Sequence, residues 1–131
     1  MSDGALQVEL VAADRTVWSG QATMVIARTV DGDVGVLKGH APLLSLLTDA
    51  VIEISEGNGQ LVFATVEGGF LSVANDRVSI LSERSILAEE IDVNQAQTDL
   101  ESARHLSDDE AGAAIRRAET RIRAAEKLRA S

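Results

Sequence analysis

The hydrophobic period of this chain changes near residue 90, and that change restricts the fold more than any other feature. Before it, glycines punctuate short β-branched runs: LQVELVA, TVWSGQATMVIART, VIEIS, LVFATVE, FLSVA and RVSILS. Val51-Ile52-Glu53-Ile54-Ser55 and Val78-Ser79-Ile80 alternate apolar with polar, the pattern of a strand with one face buried. Between the runs lie EGNG (Glu56 to Gly59), EGG (Glu67 to Gly69) and AND (Ala74 to Asp76). Each offers Gly, Asn or Asp where a tight turn needs positive φ. Residues 1–88 are therefore predicted to form an antiparallel β-sandwich or barrel.

Residues 89–131 obey a different rule. Apart from Gly112 they hold neither glycine nor proline, and Ala, Arg and Glu dominate. Asp92 suits the N-cap of a helix whose apolar positions are Val93, Ala96, Leu100, Ala103 and Leu106. Ser107 with Glu110 has the spacing of a capping box. A second helix repeats the seam at Ala111, Ile115, Ala118, Ile122, Ala125 and Leu128. Two such seams joined by a short polar turn predict an antiparallel two-helix hairpin, giving an α+β chain overall. Alanine fills about half of the seam and buries little area at roughly 25 cal/mol per Å². Helices of this length are marginal alone, so the hairpin is expected to be stable only when docked.

Composition narrows the functional classes. The 131 residues carry a net charge of −9, which disfavours nucleic acid as main partner because phosphate binding needs a basic field. With no cysteine there is no thiolate nucleophile and no Cys-type zinc site. Aromatics are limited to Trp18, Phe63 and Phe70, leaving Val, Ile, Leu and Ala to build the core. The opening MSDGALQVEL has neither a basic n-region nor a long apolar h-region, and no run approaches the roughly 20 apolar residues of a membrane span. A soluble protein that docks peripherally, without inserting into a membrane, is expected.

The stretch GVLKGHAPLLSLLTD, residues 35–49, tests for catalysis. His40 and His105 are the only imidazoles, and neither belongs to an HxH or HExxH pair. Ser45, His40 and Asp49 supply the residue types of a triad, but no G-x-S-x-G elbow accompanies them. No P-loop or G-x-G-x-x-G occurs. The expectation is no catalytic residue, no metal and no cofactor. One charge feature remains: Arg116, Arg117, Arg121, Arg123, Lys127 and Arg129 stand on a short stretch against Glu119 and Glu126. Helix-dipole complementarity with i,i+4 pairing accounts for such a strip, and so does docking on an acidic partner. A free-standing β-sandwich binding module with a dimerising helical hairpin fits these features too.

The residues Gly35-Val36-Leu37-Lys38-Gly39-His40-Ala41-Pro42-Leu43-Leu44 resemble the GxxPGHAPLL segment of the epsilon subunit of bacterial F-type ATP synthases. LQVELVAADRTVWSGQA, EGGFLSVANDRVSILSE and EEIDVNQAQ resemble that family's first strands, its later hairpin and the start of its C-terminal helices. The resemblance covers essentially the whole chain in order and spacing. It implies a β-sandwich followed by a helix-turn-helix, and a non-catalytic central-stalk subunit that turns with the rotor. Such a subunit helps couple proton flow to ATP synthesis and restrains ATP hydrolysis through its C-terminal helices, at the cytoplasmic face of the plasma membrane. The implied partners are the gamma subunit, the c-subunit ring and an acidic segment of beta. Asp31 and Asp33 then face the c ring, His40, Pro42 and Leu43 face gamma, and the six cations of the last helix meet beta. The family's proline before Gly-His is Lys38 here. Some bacterial members bind ATP as a regulatory ligand through Ile/Leu-Asp-x-x-Arg-Ala; Ile91, Asp92 and Ala96 match that motif, with Gln95 in place of the arginine.

Overall fold

The computed structural model describes residues 5–131, so the first four residues of the predicted sandwich segment lie outside it. Ten strands come first: β1 (Leu6–Ala12), β2 (Thr16–Ala22), β3 (Met24–Thr29), β4 (Gly32–Leu37), β5 (Leu43–Leu46), β6 (Ala50–Ser55), β7 (Leu61–Val66), β8 (Phe70–Ala74), β9 (Arg77–Ser82) and β10 (Ser85–Leu87). They form two five-stranded sheets, ordered β2-β1-β9-β8-β5 and β10-β7-β6-β3-β4. The run TVWSGQATMVIART splits where the chain crosses between sheets, at Thr23. There the amide and hydroxyl of Thr23 both donate to Ser55 O, at 2.8 and 3.2 Å. Pairing is antiparallel except between β1 and β9. These two strands belong to separate hairpins, β1–β2 and β8–β9, and a hairpin turn orders only its own two strands.

The period-2 alternation resolves into an inner face on each sheet. Leu6, Val8 and Leu10 of β1, Val78 and Ile80 of β9, and Leu71 and Val73 of β8 meet Val25, Val36, Ile52, Ile54, Ala64 and Val66 of the opposite sheet. Leu6, Leu10, Ile52, Ile54, Leu71 and Ile80 are fully buried, each contributing about 1.5–3 kcal/mol. Two turns show why their residues stand there. Asn75 and Asp76 have φ of 52° and 61° between β8 and β9, the two left-handed residues of a type I′ hairpin. Gly69, at φ 105°, lies so close to β9 that an added Cβ would sit 1.8 Å from Leu81 O.

A single 3-10 turn, Ala88–Glu90, leads into α1 (Val93–Ala103) and α2 (Asp108–Ala130). Asp92 caps α1 as predicted, its carboxylate accepting from the Gln95 amide at 3.1 Å. Ser107 occupies the N-cap of α2 but forms no side-chain cap bond; its carbonyl accepts from Ala111 at 2.7 Å, and the first turn closes through backbone. Helix α2 lies against α1 through Ala118 and Ala103, and against the sandwich over β7, β6 and the 3-10 turn. Strand β7 is consequently buried on both faces, Ala64 and Val66 inward and Phe63 and Thr65 beneath the helix. That double burial explains its nearly unbroken apolar run.

Candidate partner-binding surfaces

The two expected c-ring carboxylates sit on one hairpin. Thr29 organises its tip, its hydroxyl accepting from the Asp31 amide at 3.1 Å and donating to Gly32 O at 2.9 Å. Gly32, at φ 117°, allows the reversal. Asp31 is exposed at the turn, whereas Asp33 on β4 pairs with Arg28 across the hairpin at 3.0 Å. Val30, at the tip, is 58 % exposed. The Val30 amide donates to Leu46 O at 3.0 Å, tying the tip to β5.

The Gly-His-Ala-Pro segment is a shaped turn, and Lys38 has a clear place in it. The His40 amide donates to Leu37 O at 3.1 Å, and Gly39 has φ 83°. This is a type II turn with Lys38 second and glycine third. Proline favours that second position, so proline and Lys38 are alternatives that preserve the same backbone. The Gly39 amide donates to the Asp76 carboxylate at 2.7 Å, fastening the turn to the β8–β9 hairpin. His40 Nδ1 lies 2.6 Å from Ala41 O, a group that only accepts, so that nitrogen carries the proton. His40 precedes β5 and Asp49 follows it, which separates the triad's residue types by an extended strand. Among the described residues no cluster of three potential metal ligands occurs, and no helix is long and apolar enough to cross a membrane.

Leu43 turns inward on the sandwich core, while Leu44 beside it points out and is 73 % exposed. The run LLSLL thus anchors β5 through Leu43 and Leu47 only; its other two leucines face solvent. Strand register makes those leucines part of a larger feature. Leu46 pairs with Phe70, and Phe70 with Leu81, so the three side chains form one row across β5, β8 and β9 on the outer face of the sheet. With Leu44 two residues along β5, this row exposes four large apolar groups, each about half or more uncovered. Sequence reasoning missed it. The available signal was the phase of the alternation, which in FLSVA and RVSILS puts Phe70 and Leu81 opposite the buried set.

The helical residues divide more finely than expected. Ile91 packs against a small second core of Phe63, Ala88 and Ala124, joined by Val51 and Leu128. Ala96 is buried and Asp92 is committed to its cap, so each of the three motif residues has a packing or capping role. Gln95 donates to Asp99 at 2.8 Å. The six cations do not form one strip. Thr120 and Ala124, both buried, mark the line along which α2 meets the sandwich. At helical spacing Arg117 and Arg121 fall on one flank of that line, Arg116, Arg123 and Lys127 on the other, and Arg129 on the exposed side. Arg117 pairs with Glu67 at 2.8 Å and Arg116 lies 3.8 Å from Asp49. Arg123 donates to Thr120 Oγ1 at 3.1 Å. Grooves follow the two flanks, one where Arg84, Asp99, Arg117 and Arg121 stand beside Ala103 and Leu106, the other lined by Arg28, Asp33, Asp49, Arg123 and Lys127 among others. The buried positions 120 and 124 and the half-buried 128 form a second helical stripe that the sequence contained, beside the one facing α1.

One ion pair fastens the start of this region. Arg15 donates to both Glu90 carboxylate oxygens, at 3.0 and 2.7 Å. That hydrogen bonding, with a further one from the Leu87 amide at 3.0 Å, holds the Glu90 carboxyl below the usual carboxylate range.

A mostly antiparallel sandwich, a docked helical hairpin and an exposed apolar row are the features of a subunit that joins an assembly. The family described as ATP synthase, Delta/Epsilon chain, beta-sandwich domain matches residues 5–88. The ATP synthase epsilon chain of Streptomyces griseus is 54 % identical over 91 % of this chain and 94 % of its own length. That of Thermobifida fusca is 48 % identical over 92 % and 91 %, and that of Rhodococcus jostii 45 % over 93 % and 97 %. This chain belongs to the ATP synthase epsilon chain family. A chain of the Euglena gracilis mitochondrial ATP synthase, OSCP/F1/c-ring, superposes with a TM-score of 0.72 at 25 % identity, covering 99 % of this chain and 82 % of that one. A chain of the Tetrahymena thermophila mitochondrial ATP synthase central stalk and c ring shares the fold, with a TM-score of 0.61 at 15 % identity.

Proposed function

We propose that this chain works as a central-stalk rotor subunit whose sandwich grips the gamma subunit through its exposed apolar row. The carrying observation is that row, Leu44, Leu46, Phe70 and Leu81, on a sheet face that none of the described elements covers. An uncovered row of this kind on a folded chain marks a protein interface. His40 and Pro42 lie in the turn that leads into the same edge strand, and Leu43 supports it from beneath. Asp31 and Asp33, on the β3–β4 hairpin, suit a contact with polar loops of the c ring. The Euglena relative, which comes from an F1/c-ring assembly, supports this reading.

In this role residues 1–88 join the stalk and residues 89–131 form the regulatory unit. The cations of α2 engage an acidic segment of the beta subunit when the hairpin leaves the sandwich, and so restrain ATP hydrolysis while proton flow drives synthesis. The chain has no active site of its own and works peripherally, at the cytoplasmic face of the plasma membrane. ATP is at most a regulatory ligand at Ile91, Asp92 and Ala96, where Gln95 lacks the phosphate-pairing charge. The test is binding of the full chain to its own gamma subunit. Phe70→Asp is expected to weaken binding by about a hundredfold, as a charge forced into an apolar interface does. Unchanged binding by a folded Phe70→Asp variant would refute the assignment.

A further inference from the structure

We infer that Glu67 is an internal latch for the helical hairpin, holding through Arg117 a charge that an acidic partner would otherwise take. The partner half of this inference rests on the function proposed above; the latch itself does not. Glu67 sits where β7 ends, and its backbone is fixed. Its amide donates to Ser82 Oγ at 3.0 Å and to Arg84 O at 3.1 Å, so the start of the side chain cannot drift. Its side chain is only 18 % exposed, and Arg117 reaches it from α2 at 2.8 Å, across fifty residues of sequence.

The partial burial matters. A surface ion pair contributes little, but a carboxylate withdrawn from water and then left unpaired carries a desolvation cost. The apolar contact under the same helix is small. Its three buried members are Phe63 and two alanines, Ala88 and Ala124, with Val51, Ile91 and Leu128 partly buried around them. The charge pair therefore adds to an apolar contact centred on Phe63. On the other flank, Arg116 lies 3.8 Å from Asp49, at the limit of ion pairing, and adds a weaker second clip. Two cations of the basic stretch are thus turned toward carboxylates of the chain's own sandwich. Arg117 gives its Nε to Glu67, so a partner's carboxylates compete with Glu67 for the same guanidinium, and the docked and partner-bound hairpins oppose one another there.

Hydrogen exchange on the full chain, read separately for α2 and for β1 and β9, tests the latch. Glu67→Gln keeps the shape and removes the charge. It is expected to speed α2 exchange about fivefold or more, with β1 and β9 unchanged. Wild-type α2 exchange should also rise between about 0.05 and 0.5 M salt, and the rise should be markedly smaller in Glu67→Gln, which keeps only the weaker Arg116–Asp49 clip. The reversed pair, Glu67→Arg with Arg117→Glu, should recover much of the wild-type protection. A hexaglutamate peptide should speed α2 exchange in the wild type. If α2 in Glu67→Gln exchanges as in wild type, or if sandwich and helix loosen together, the latch is overturned. In the assembled ATP synthase, Glu67→Gln should lower ATP hydrolysis by freeing the hairpin. Faster α2 exchange with unchanged hydrolysis and no hexaglutamate effect would keep the latch and overturn the partner reading.

Discussion

Replacing Phe63 with alanine should undock the hairpin while sparing the sandwich. Phe63 is 4 % exposed, and its ring belongs to the small core with Ala88 and Ala124 rather than to the large core between the sheets. Truncating a buried phenylalanine costs about 3–5 kcal/mol. At the lower figure, about 3 kcal/mol, the docking equilibrium falls by roughly 150-fold, since each 1.4 kcal/mol is a factor of ten. The cost falls on docking because the inward side chains of β7, Ala64 and Val66, keep their neighbours in the other sheet. An undocked hairpin has little to hold it, since α1 spans only 11 residues, a length at which isolated helices are marginal, and meets α2 through the buried alanines Ala103 and Ala118. Hydrogen exchange with peptide resolution reads the two regions separately. Peptides from α2 should exchange about two orders of magnitude faster, and those from β1 and β9 at the wild-type rate. Ile80→Ala, inside the sandwich, should instead loosen both regions. Equal acceleration of helix and strands in Phe63→Ala would refute the two-core description, and so would no acceleration at all.

Two further outcomes follow from local geometry. Lys38→Pro should stabilise the chain by about 0.5 kcal/mol, because proline presets the second position of the type II turn already closed by Gly39; chemical denaturation measures it, and a loss of stability would mean the turn is otherwise. The depressed Glu90 carboxyl contributes stability that is fully present above its unfolded-state value and is lost as pH falls through the lower folded-state value. Native-state carbon-13 titration should therefore place the Glu90 midpoint below that of an ordinary glutamate, and Arg15→Ala should move it back up.

Much of this architecture is readable from the residues, and the parts that are not have physical causes. Strands with one polar face, such as Val51 to Ser55 and Val78 to Ile80, declare themselves because burial differs between alternate residues. Asp92 does so because an N-cap depends on one side chain and its nearest amides. Strand β4 was hidden by its two glycines, Gly32 and Gly35. Strand β5 was hidden for the opposite reason: LLSLL is apolar on both faces, so alternation carries no contrast. The same loss of contrast concealed the outward row, since Leu44, Leu46, Phe70 and Leu81 look like core residues until register assigns them to the other face. The basic stretch read as one strip because sequence gives proximity and not azimuth. Only the position of α2 on the sandwich turns Arg117 toward Glu67 and Arg116 toward Asp49. The expected contacts of Asp31, Asp33, His40 and Pro42 depend on surfaces of other chains, and no periodicity within this one encodes them.

Hydroxyl-radical footprinting of the full chain, free and bound to its own gamma subunit, tests the central claim most directly. If the apolar row is the grip, Leu44, Leu46, Phe70 and Leu81 should lose reactivity together on binding, while Val93 of α1 and Leu106 of the turn between the helices stay reactive. Protection of the helices with the row left reactive would contradict the account and move the stalk contact to the other side of the molecule.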